Sequence, residues 1–151
     1  MKKMVILIGI QGSGKSEFYK QKLAADYVHI NLDTLKTRNN ERKLITECIV
    51  QGENLAIDNT NPTKAERAVY IDMARKAEYH VIGYFMQSRL QECIARNNMR
   101  EGKAKIPAKA IAATSNKLEL PCLEEGFDEL YFVANDGVTM TVSEWVEKND
   151  I

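Results

Sequence analysis

The stretch KMVILIGIQGSGKS, residues 3–16, decides the fold of this chain. Its first six residues form an almost uninterrupted apolar run, which is typical of a strand buried on both faces of a parallel sheet. Residues 9–16 match the Walker A pattern G-x-x-x-x-G-K-[ST] in full and follow that strand, as the pattern requires. The sequence therefore predicts a phosphate-binding loop between a strand and a helix. The alternative is a glycine-rich turn without a ligand.

The residue types of the loop explain how it would bind phosphate. Gly9, Gly12 and Gly14 allow backbone angles and a close approach that side chains would block. The loop amides can then converge on phosphate oxygens at the start of a helix. Lys15 brings a positive charge to the β- and γ-phosphates, and the hydroxyl of Ser16 can bind Mg²⁺. The predicted nucleotide-binding residues of the loop are Gly9, Gln11, Gly12, Ser13, Gly14, Lys15 and Ser16.

Composition predicts a single globular domain over residues 1–151. The chain carries 21 basic and 21 acidic side chains, so its formal charge is zero with both histidines neutral. This balance argues against a protein coated in positive charge, although it leaves room for a local basic cleft. Hydrophobic residues make up 44% and charged residues 28% of the chain, which excludes a disordered protein.

Two further patterns concern location and redox state. The longest apolar run, residues 4–10, is too short to span a bilayer, and no small-residue cleavage site follows it. The three cysteines, Cys48, Cys93 and Cys122, are widely spaced and form no Cys-x-x-Cys pair. Neither a disulfide framework nor a zinc site is therefore predicted. We expect a cytoplasmic protein that has no membrane partner.

Strand and helix patterns alternate along the chain. This alternation predicts an α/β fold of βαβ units, with a mostly parallel five-stranded sheet and helices on both faces. The predicted strands cover residues 3–8, 27–31, 55–58, 80–86 and 130–134. The predicted helices cover residues 14–24, 34–50, 63–77 with Thr63 as cap, and 88–99 with Ser88 as cap, and another opens at Ile106-Pro107. A turn at residues 135–137 precedes an apolar segment at 138–142.

The first candidate for acid–base chemistry is Asp33, which follows the second predicted strand. Ligands of open α/β sheets bind at the carboxyl ends of the strands. A carboxylate there can accept the proton of an attacking hydroxyl during phosphoryl transfer. Asp is also a common cap of a following helix. The position alone leaves both roles of Asp33, general base and helix cap, open.

The second candidate is the end of the third predicted strand, where Asp58 is followed by Asn59-Thr60-Asn61-Pro62. A carboxylate at the end of an apolar strand is typical of a Walker B element, which acts on Mg²⁺ directly or through water. The asparagines add hydrogen-bonding groups at the same edge of the sheet. An Asx-rich turn into the next helix would explain the asparagines, but it explains Asp58 less well.

The third candidate is a basic segment, residues 96–117, with six Lys or Arg side chains and one Glu. Gly102 and Pro107 bracket a predicted mobile loop within it. Arg96 and Arg100 are four residues apart and therefore share a helix face. Two guanidinium groups there can close over a triphosphate and stabilise charge in the transition state. A solvated basic face is the alternative.

Together these motifs resemble the kinase domain of the polynucleotide 5′-hydroxyl-kinases, within the P-loop kinase superfamily. The similarity covers most of the chain, roughly residues 1–133. The Asp-Asn-Thr-Asn-Pro run and the Arg-Asn-Asn lid are more specific for this family than the phosphate loop, which many families share. The matching stretches are residues 9–16, 27–35, 57–62, 96–100 and 121–127.

The resemblance implies a three-layer P-loop kinase fold with a mobile lid. It also implies ATP- and Mg²⁺-dependent transfer of the γ-phosphate to a 5′-hydroxyl end of DNA or RNA. Asp33 matches the general base, Arg100 the lid arginine and Arg96 a neighbouring lid position. Both arginines would bind the nucleotide, and Ser16 and Asp58 would bind the metal. The implied catalytic residues are Asp33, Lys15 and Arg100. The implied substrate residues are Asp33, Lys36, Asp58, Asn59 and Asn61.

Two positions depart from the family pattern. Leu32 stands where the family usually has Arg before the catalytic Asp, and Lys36 stands where phage relatives have an Arg that grips the substrate's 3′-phosphate. Lys keeps the charge but lacks the bidentate fork of Arg. The sequence contains no Asp-x-Asp phosphatase motif, so we expect a separate phosphatase or ligase partner. We expect residues 138–145 either to pack within the chain or to form the contact between the subunits of a homo-oligomer.

Two other functions stay open on the sequence alone. The same fold serves many acceptors, so the first alternative is a P-loop kinase for a small hydroxyl-bearing metabolite, such as a nucleoside, a sugar or an antibiotic. The second is a non-catalytic nucleotide-binding switch. Salt dependence separates the acceptors, because binding of an oligonucleotide weakens steeply with salt and binding of a neutral metabolite does not.

Overall fold

The computed structural model describes residues 1–102 and 105–146. The strands are β1 (Lys3–Ile8), β2 (Val28–Ile30), β3 (Leu55–Asp58), β4 (His80–Met86), β5 (Glu129–Asn135) and β6 (Met140–Glu144). The helices are α1 (Lys15–Phe18), which continues as a π-helical turn (Tyr19–Leu23), α2 (Leu32–Leu35), α3 (Arg38–Gln51), α4 (Lys64–Lys76), α5 (Leu90–Asn98) and α6 (Ala108–Lys117). Within the described residues, no helix has the length and apolarity needed to cross a membrane.

The strands form one sheet in the order β2-β3-β1-β4-β5-β6. Neighbours from β2 to β5 pair in parallel, and β6 pairs antiparallel with β5. The predicted α/β fold with a mostly parallel sheet is confirmed, but the described chain has six strands where the sequence predicts five. The sixth strand forms because a tight turn reverses the chain after β5. In that turn Asp136 accepts the backbone N–H groups of Val138 and Thr139.

The side chains of each strand alternate between two faces of the sheet, and each face has its own core. Helices α3 and α4 pack on one face, whose core includes Ile6, Ile57 and Phe85. Helix α1 and its π-helical turn pack on the other face, whose core includes Leu7 and Phe18. Strand β1 is buried between the two layers, which explains its uninterrupted apolar sequence. The predicted helices on both faces of the sheet are thus confirmed.

The helix predicted over residues 34–50 is wrong, because the chain forms two helices there, α2 and α3. Lys36 ends α2 with a φ of +76°, an angle that interrupts a right-handed helix. Thr37 then begins α3, and its side chain accepts the N–H of Asn40. The exposed side chain of Lys36 consequently lies on the connection between the two helices.

The two predicted helix caps have different outcomes. Thr63 caps α4 as predicted and forms a reciprocal capping box with Glu66. The cap predicted at Ser88 is wrong, since Arg89 precedes α5 and makes no side-chain cap. The hydroxyl of Ser88 instead accepts the backbone N–H of Ile10 at 3.2 Å. Ser88 therefore fixes the phosphate-binding loop rather than the start of a helix.

Candidate active site

The phosphate-binding loop connects β1 to α1 at the carboxyl edge of the parallel strands. Gly12 and Gly14 have φ angles of +83° and +98°, which favour glycine. A Cβ at Gly12 would lie 2.3 Å from the carbonyl oxygen of Cys93, and one at Gly14 would lie 2.7 Å from the side-chain nitrogen of Asn135. Both glycines are therefore needed for the shape of the loop and for its packing against α5 and β5.

Two predicted loop residues have buried polar groups without a protein partner. These are the hydroxyl of Ser13 and the side-chain carbonyl of Gln11, counted over the part of the chain that the structure describes. The amide of Gln11 donates to the hydroxyl of Thr114, 3.1 Å away, and joins the loop to α6. An unpaired buried hydroxyl is costly. The loop therefore fits an occupant with hydrogen-bond acceptors, such as phosphate oxygens.

Lys15 begins α1 and folds back over the loop. Its Nζ donates to the carbonyl oxygen of Gly9 at a distance of 2.8 Å. Burial lowers the pKa of Lys15 to about 8, while the charges of Asp58 and Asp33 oppose this shift and that of Arg100 adds to it. The charge of Lys15 is thus affected by predicted site residues from three other segments, namely Asp33, Asp58 and Arg100.

Asp58 is the centre of a polar cluster beside the loop, and its side chain is almost fully buried. Ser16 Oγ donates to Asp58 Oδ2 at 2.7 Å, and His29 Nε2 lies 2.7 Å from the same oxygen. Burial disfavours the charged carboxylate, but the hydrogen bonds from His29 and Ser16 outweigh burial and lower the pKa of Asp58. The structure therefore brings the two predicted metal ligands together.

No role for His29 was predicted from the sequence, although a signal was present. Val28 and Ile30 pack in the core on the opposite face of the sheet, so His29 points away from that core. His29 is in register with Ala56 of β3, and Asp58 follows two residues later on the same face. The signal is a polar residue in β2 that faces the same side of the sheet as the carboxylate at the end of the neighbouring strand β3. This pattern identifies the contact between His29 and Asp58.

Asp33 lies in α2, the short helix after β2. Asn31 caps this helix, since its Oδ1 accepts the N–H of Thr34 at 3.2 Å. The alternative role of Asp33 as the helix cap is therefore wrong, and its carboxylate is exposed. Asn31 also donates to the carbonyl oxygen of Asp58 at 2.8 Å. This bond fixes α2, and with it Asp33, to the end of β3.

Asn59 joins the start of α2 to a polar network between α3 and α4. Its Oδ1 accepts the N–H of Leu32 at 3.0 Å, and its Nδ2 donates to Glu41 at 2.8 Å. Tyr70 donates to Glu41 at 2.8 Å, and Arg38 donates to Tyr70 at 2.7 Å. Burial, reinforced by the hydrogen bond to Glu41, raises the pKa of Tyr70 to about 12. The network was missed because its members are separated by up to 32 residues.

Asn61, another predicted substrate residue, is buried in the loop after β3. Its side-chain amide donates to the carbonyl oxygen of Leu7 at 2.7 Å. The buried Arg67 donates to the carbonyl oxygen of Asn61 at 2.8 Å and pairs with Glu125 through two hydrogen bonds of 2.9 and 3.2 Å. These contacts hold the loop after β3 in place. A contact between Asn61 and substrate stays a prediction.

The two arginines of the predicted lid lie at different depths. Arg96 donates to the carbonyl oxygens of Gly12 at 2.9 Å and Asn135 at 3.0 Å, so it joins α5 to the loop and to β5. Arg100 lies after the end of α5, is exposed, and is close enough to Lys15 to affect its pKa. The structure thus brings both arginines to the phosphate-binding loop.

The segment between α5 and α6 is held at its two ends. Asn97 is buried in α5, and its amide both donates to and accepts from the backbone of Ile106. A small core joins the loop to α5 and α6 and consists of Ile10, Cys93 and Ile111. Lys103, part of the predicted basic lid, lies outside the described residues. A mobile lid stays a prediction.

The donor groups of the site fit Mg²⁺. Within residues 1–102 and 105–146, no group of three His, Cys, Asp or Glu side chains could hold a metal ion. Mg²⁺ does not need such a cage, because it keeps several waters and binds one or two protein oxygens together with substrate phosphates. Ser16 Oγ and Asp58 Oδ2 are oxygen donors only 2.7 Å apart, beside the loop that would hold those phosphates.

Comparison with known proteins identifies relatives of the chain. A family model described as AAA domain matches residues 4–121. A bifunctional polynucleotide phosphatase/kinase of Schizosaccharomyces pombe is 31% identical over 130 residues, which cover 82% of this chain and 31% of that protein. A putative bifunctional polynucleotide phosphatase/kinase of Acanthamoeba polyphaga mimivirus is 32% identical over 136 residues, which cover 85% of this chain and 32% of that protein. The chain thus spans about a third of the length of these relatives. The predicted resemblance to polynucleotide kinases is confirmed.

Solved structures agree with the fold. A gluconokinase from Sinorhizobium meliloti 1021 has a TM-score of 0.60 at 18% identity and covers 87% of this chain and 82% of its own. A chain of the Pnkp1/Rnl/Hen1 RNA repair complex has a TM-score of 0.65 at 21% identity, and the match covers 78% of this chain and 44% of that chain. These likenesses show that the chain shares the α/β fold of these proteins. The family match and the curated relatives support a phosphotransferase.

Proposed function

This chain belongs to the AAA domain family, and we propose that it transfers the γ-phosphate of ATP to a 5′-hydroxyl end of DNA or RNA. One observation carries the proposal. The exposed carboxylate of Asp33 lies in α2, which Asn31 fixes to the end of β3, where Asp58 accepts a hydrogen bond from Ser16 of the phosphate-binding loop. Phosphoryl transfer to an alcohol needs such a base beside a phosphate-binding cation. The names of the two curated relatives support a polynucleotide as the acceptor.

In the proposed reaction, Asp33 accepts the proton of the 5′-hydroxyl group. The hydroxyl oxygen forms a bond to the γ-phosphorus of ATP, and the bond from that phosphorus to the β,γ-bridging oxygen breaks. The products are a 5′-phosphate end and ADP, and Asp33 then releases its proton to solvent. Protonated Lys15 stabilises the negative charge on the β- and γ-phosphates as the bond breaks.

Ser16 and Asp58 are the residues that would hold Mg²⁺, which when bound neutralises charge on the β- and γ-phosphates. The lowered pKa of Asp58 keeps its carboxylate ionised at neutral pH. His29 contacts the same carboxylate oxygen as Ser16. Tyr19 stacks on the His29 ring, with centroids 4.1 Å apart, and so holds in place the imidazole that contacts Asp58.

The two lid arginines have separate proposed roles. Arg96 shapes the loop, because its guanidinium group is engaged with the backbone carbonyls of Gly12 and Asn135. Arg100 is exposed after the end of α5, and its positive charge contributes to the lowered pKa of Lys15. From there its guanidinium group can close over the transferred phosphate and stabilise charge in the transition state. Arg100 is therefore the proposed catalytic arginine.

The proposed acceptor site follows α2. Lys36 lies three residues after Asp33 and is exposed, so it can bind the first internucleotide phosphate as a point charge. Asn59 holds the start of α2 through the N–H of Leu32. The curated relatives are named as both phosphatase and kinase, which supports a phosphatase partner that acts on the same ends.

The test is transfer of labelled γ-phosphate from ATP to a short 5′-hydroxyl oligonucleotide. We expect transfer by the unaltered chain, and a fall of at least about 100-fold in Asp33→Asn, because general base catalysis contributes about that much. ATP binding of the variant, measured by calorimetry, is expected to be unchanged. Asp26→Asn is the matched control, since Asp26 is an exposed aspartate before β2. DNA and RNA acceptors are then compared.

The other functions predict different results in the same assay. A kinase for a neutral metabolite would leave oligonucleotides unmodified and phosphorylate a sugar or nucleoside at a rate that salt does not change. Transfer to an oligonucleotide should instead fall steeply between about 50 and 200 mM salt. ATP binding without transfer to any hydroxyl acceptor would contradict a kinase and leave a nucleotide-binding switch.

A further inference from the structure

A cavity of about 300 Å³ lies between α3 and α4. Its lining residues all belong to residues 38–73, and one of them, Thr60, accepts the backbone N–H of Gly9 in the phosphate-binding loop. The volume lies at the lower end of the range for small-molecule sites. None of the proposed catalytic residues lines this cavity, and it has no role in the transfer step described above.

The cavity has apolar walls and basic groups at its rim. Ile45 of α3 is buried, Met73 of α4 is half-buried, and Val69 of α4 is exposed near the opening. Arg42 is exposed, and the side chain of Arg38 is 60% exposed. An apolar wall with guanidinium groups beside it suits a flat, weakly polar ring attached to a phosphate.

One acidic residue of the lining pairs with one of the two arginines, since Arg38 Nη1 lies 3.2 Å from Glu41 Oε1. Glu41 is 4% exposed, and its oxygens also accept hydrogen bonds from Tyr70 and Asn59. Glu66 is engaged in the capping box with Thr63 at the start of α4. Both carboxylates are therefore committed within the protein, and within the described residues the exposed Arg42 is the rim arginine that makes no ion pair.

Asn59 connects the cavity to the helix that carries the proposed base. Its side chain lines the cavity, and its Oδ1 accepts the N–H of Leu32, the residue before Asp33. Arg38, two residues after Lys36, also lines the cavity. The proposed acceptor path therefore runs from Asp33 past Lys36 to the rim of the cavity, with the first nucleotide at Asp33 and the second at the cavity.

We propose that the cavity between α3 and α4 receives the base of the second nucleotide of a single-stranded acceptor, and that Arg42 binds the adjoining phosphate. The inference rests on the proposed function, since it assumes a polynucleotide acceptor. The site gives the enzyme a preference for acceptors at least two nucleotides long. The apolar walls contact the faces of the base, and a contact of this kind tolerates any base sequence because it uses no hydrogen bond to the base.

The test compares three 5′-hydroxyl acceptors: a nucleoside 3′-monophosphate, a dinucleotide and a trinucleotide, each with a 3′-phosphate. We expect kcat/KM to rise about tenfold from the first to the second acceptor, a gain that burial of part of one base against apolar walls can supply, and to rise little for the third. Val69→Trp fills the cavity from an exposed position, and Arg42→Ala removes the rim charge. Each variant should reduce the ratio between dinucleotide and mononucleotide to about one, through KM rather than kcat.

Matched control variants separate this site from general effects of charge and bulk. Lys43→Ala removes an exposed cation next to Arg42, and Val50→Trp adds the same ring at an exposed valine of α3. Neither residue lines the cavity, so both controls should keep the tenfold ratio. Equal kcat/KM for mononucleotide and dinucleotide, or a ratio that survives in Val69→Trp, would overturn the inference and leave the proposed function intact. Failure to phosphorylate all three acceptors would overturn both.

Discussion

The phosphate-binding loop and the acceptor region are built in different ways. We define the acceptor region as α2, Asn59 and the parts of α3 and α4 whose side chains contact Asn59. The loop is one contiguous stretch, residues 9–16, and its shape comes from backbone angles that Gly12 and Gly14 permit. The acceptor region depends on side chains from separate segments, such as Asn59, Glu41 and Tyr70. The phosphate groups are common to all nucleoside triphosphate donors, and backbone amides can bind them. The hydroxyl-bearing acceptor differs from one kinase to another, and it is recognised by side chains that the fold brings together.

We expect the largest effect from a variant that removes the buried ion pair between Arg67 and Glu125, which packs beside the acceptor region. Arg67→Met leaves Glu125 as a buried carboxylate without its partner, and we expect the free energy of unfolding to fall by about 3–5 kcal/mol. Lys76→Met, which removes an exposed ion pair with Asp72, should cost less than about 1 kcal/mol. Urea unfolding measures both. Equal losses in the two variants would show that the buried pair has no special weight.

The next effect isolates the loop. Lys15→Met removes the cation at the phosphates, and we expect kcat to fall about 100- to 1,000-fold, since one preorganised charge or donor contributes about this much. The acceptor KM should stay within about twofold. Lys20→Met is the control, because Lys20 is an exposed lysine in the turn after α1. A rise in acceptor KM as large as the fall in kcat would mean that the two regions are not independent.

A smaller effect isolates the acceptor region. Asn59→Ala removes the partner of the Leu32 N–H and leaves Glu41 without one of its hydrogen bonds, which costs about 2 kcal/mol. We therefore expect kcat/KM for the acceptor to fall about 30-fold, while the Kd for ATP is unchanged by calorimetry. Asn39→Ala, at an exposed position early in α3, is the control. Weaker ATP binding in Asn59→Ala would contradict the separation of the regions.

The smallest effect uses pH to separate the same regions. Burial lowers the pKa of Lys15 to about 8, so its positive charge is present below pH 8 and is lost as the pH rises through that value. The Kd for ATP should rise by up to about tenfold between pH 7 and pH 9, and this rise should vanish in Lys15→Met. The acceptor KM should not change in that interval, because Tyr70 has a pKa of about 12. A parallel rise of both constants would contradict the assignment to Lys15.

The sequence predictions were accurate for features that a contiguous stretch determines and less accurate for features that depend on contacts between separate segments. The bounds of β1, β3 and β4 agree with the predicted strands, because each is an apolar run between polar residues and two helical layers bury it. The division of residues 34–50 into α2 and α3 was missed, since its cause is the single positive φ of Lys36. The Ser88 cap was wrong because a hydroxyl near a helix start can equally bind a distant backbone group, here that of Ile10.

The sequence by itself determined the strand–loop–helix unit at residues 3–16, because its hydrophobic period and its glycines act within a few residues of one another. It also identified Asp33 and Asp58 as carboxylates at strand ends. Only the tertiary structure decided that Asn31 binds the carbonyl oxygen of Asp58, that His29 and Ser16 share the carboxylate of Asp58, and that a sixth strand pairs with β5 at the edge of the sheet. The cavity between α3 and α4 was likewise decided by the fold. Its walls come from two consecutive helices, α3 and α4, and the loop after β3, and no local pattern records how two helices pack.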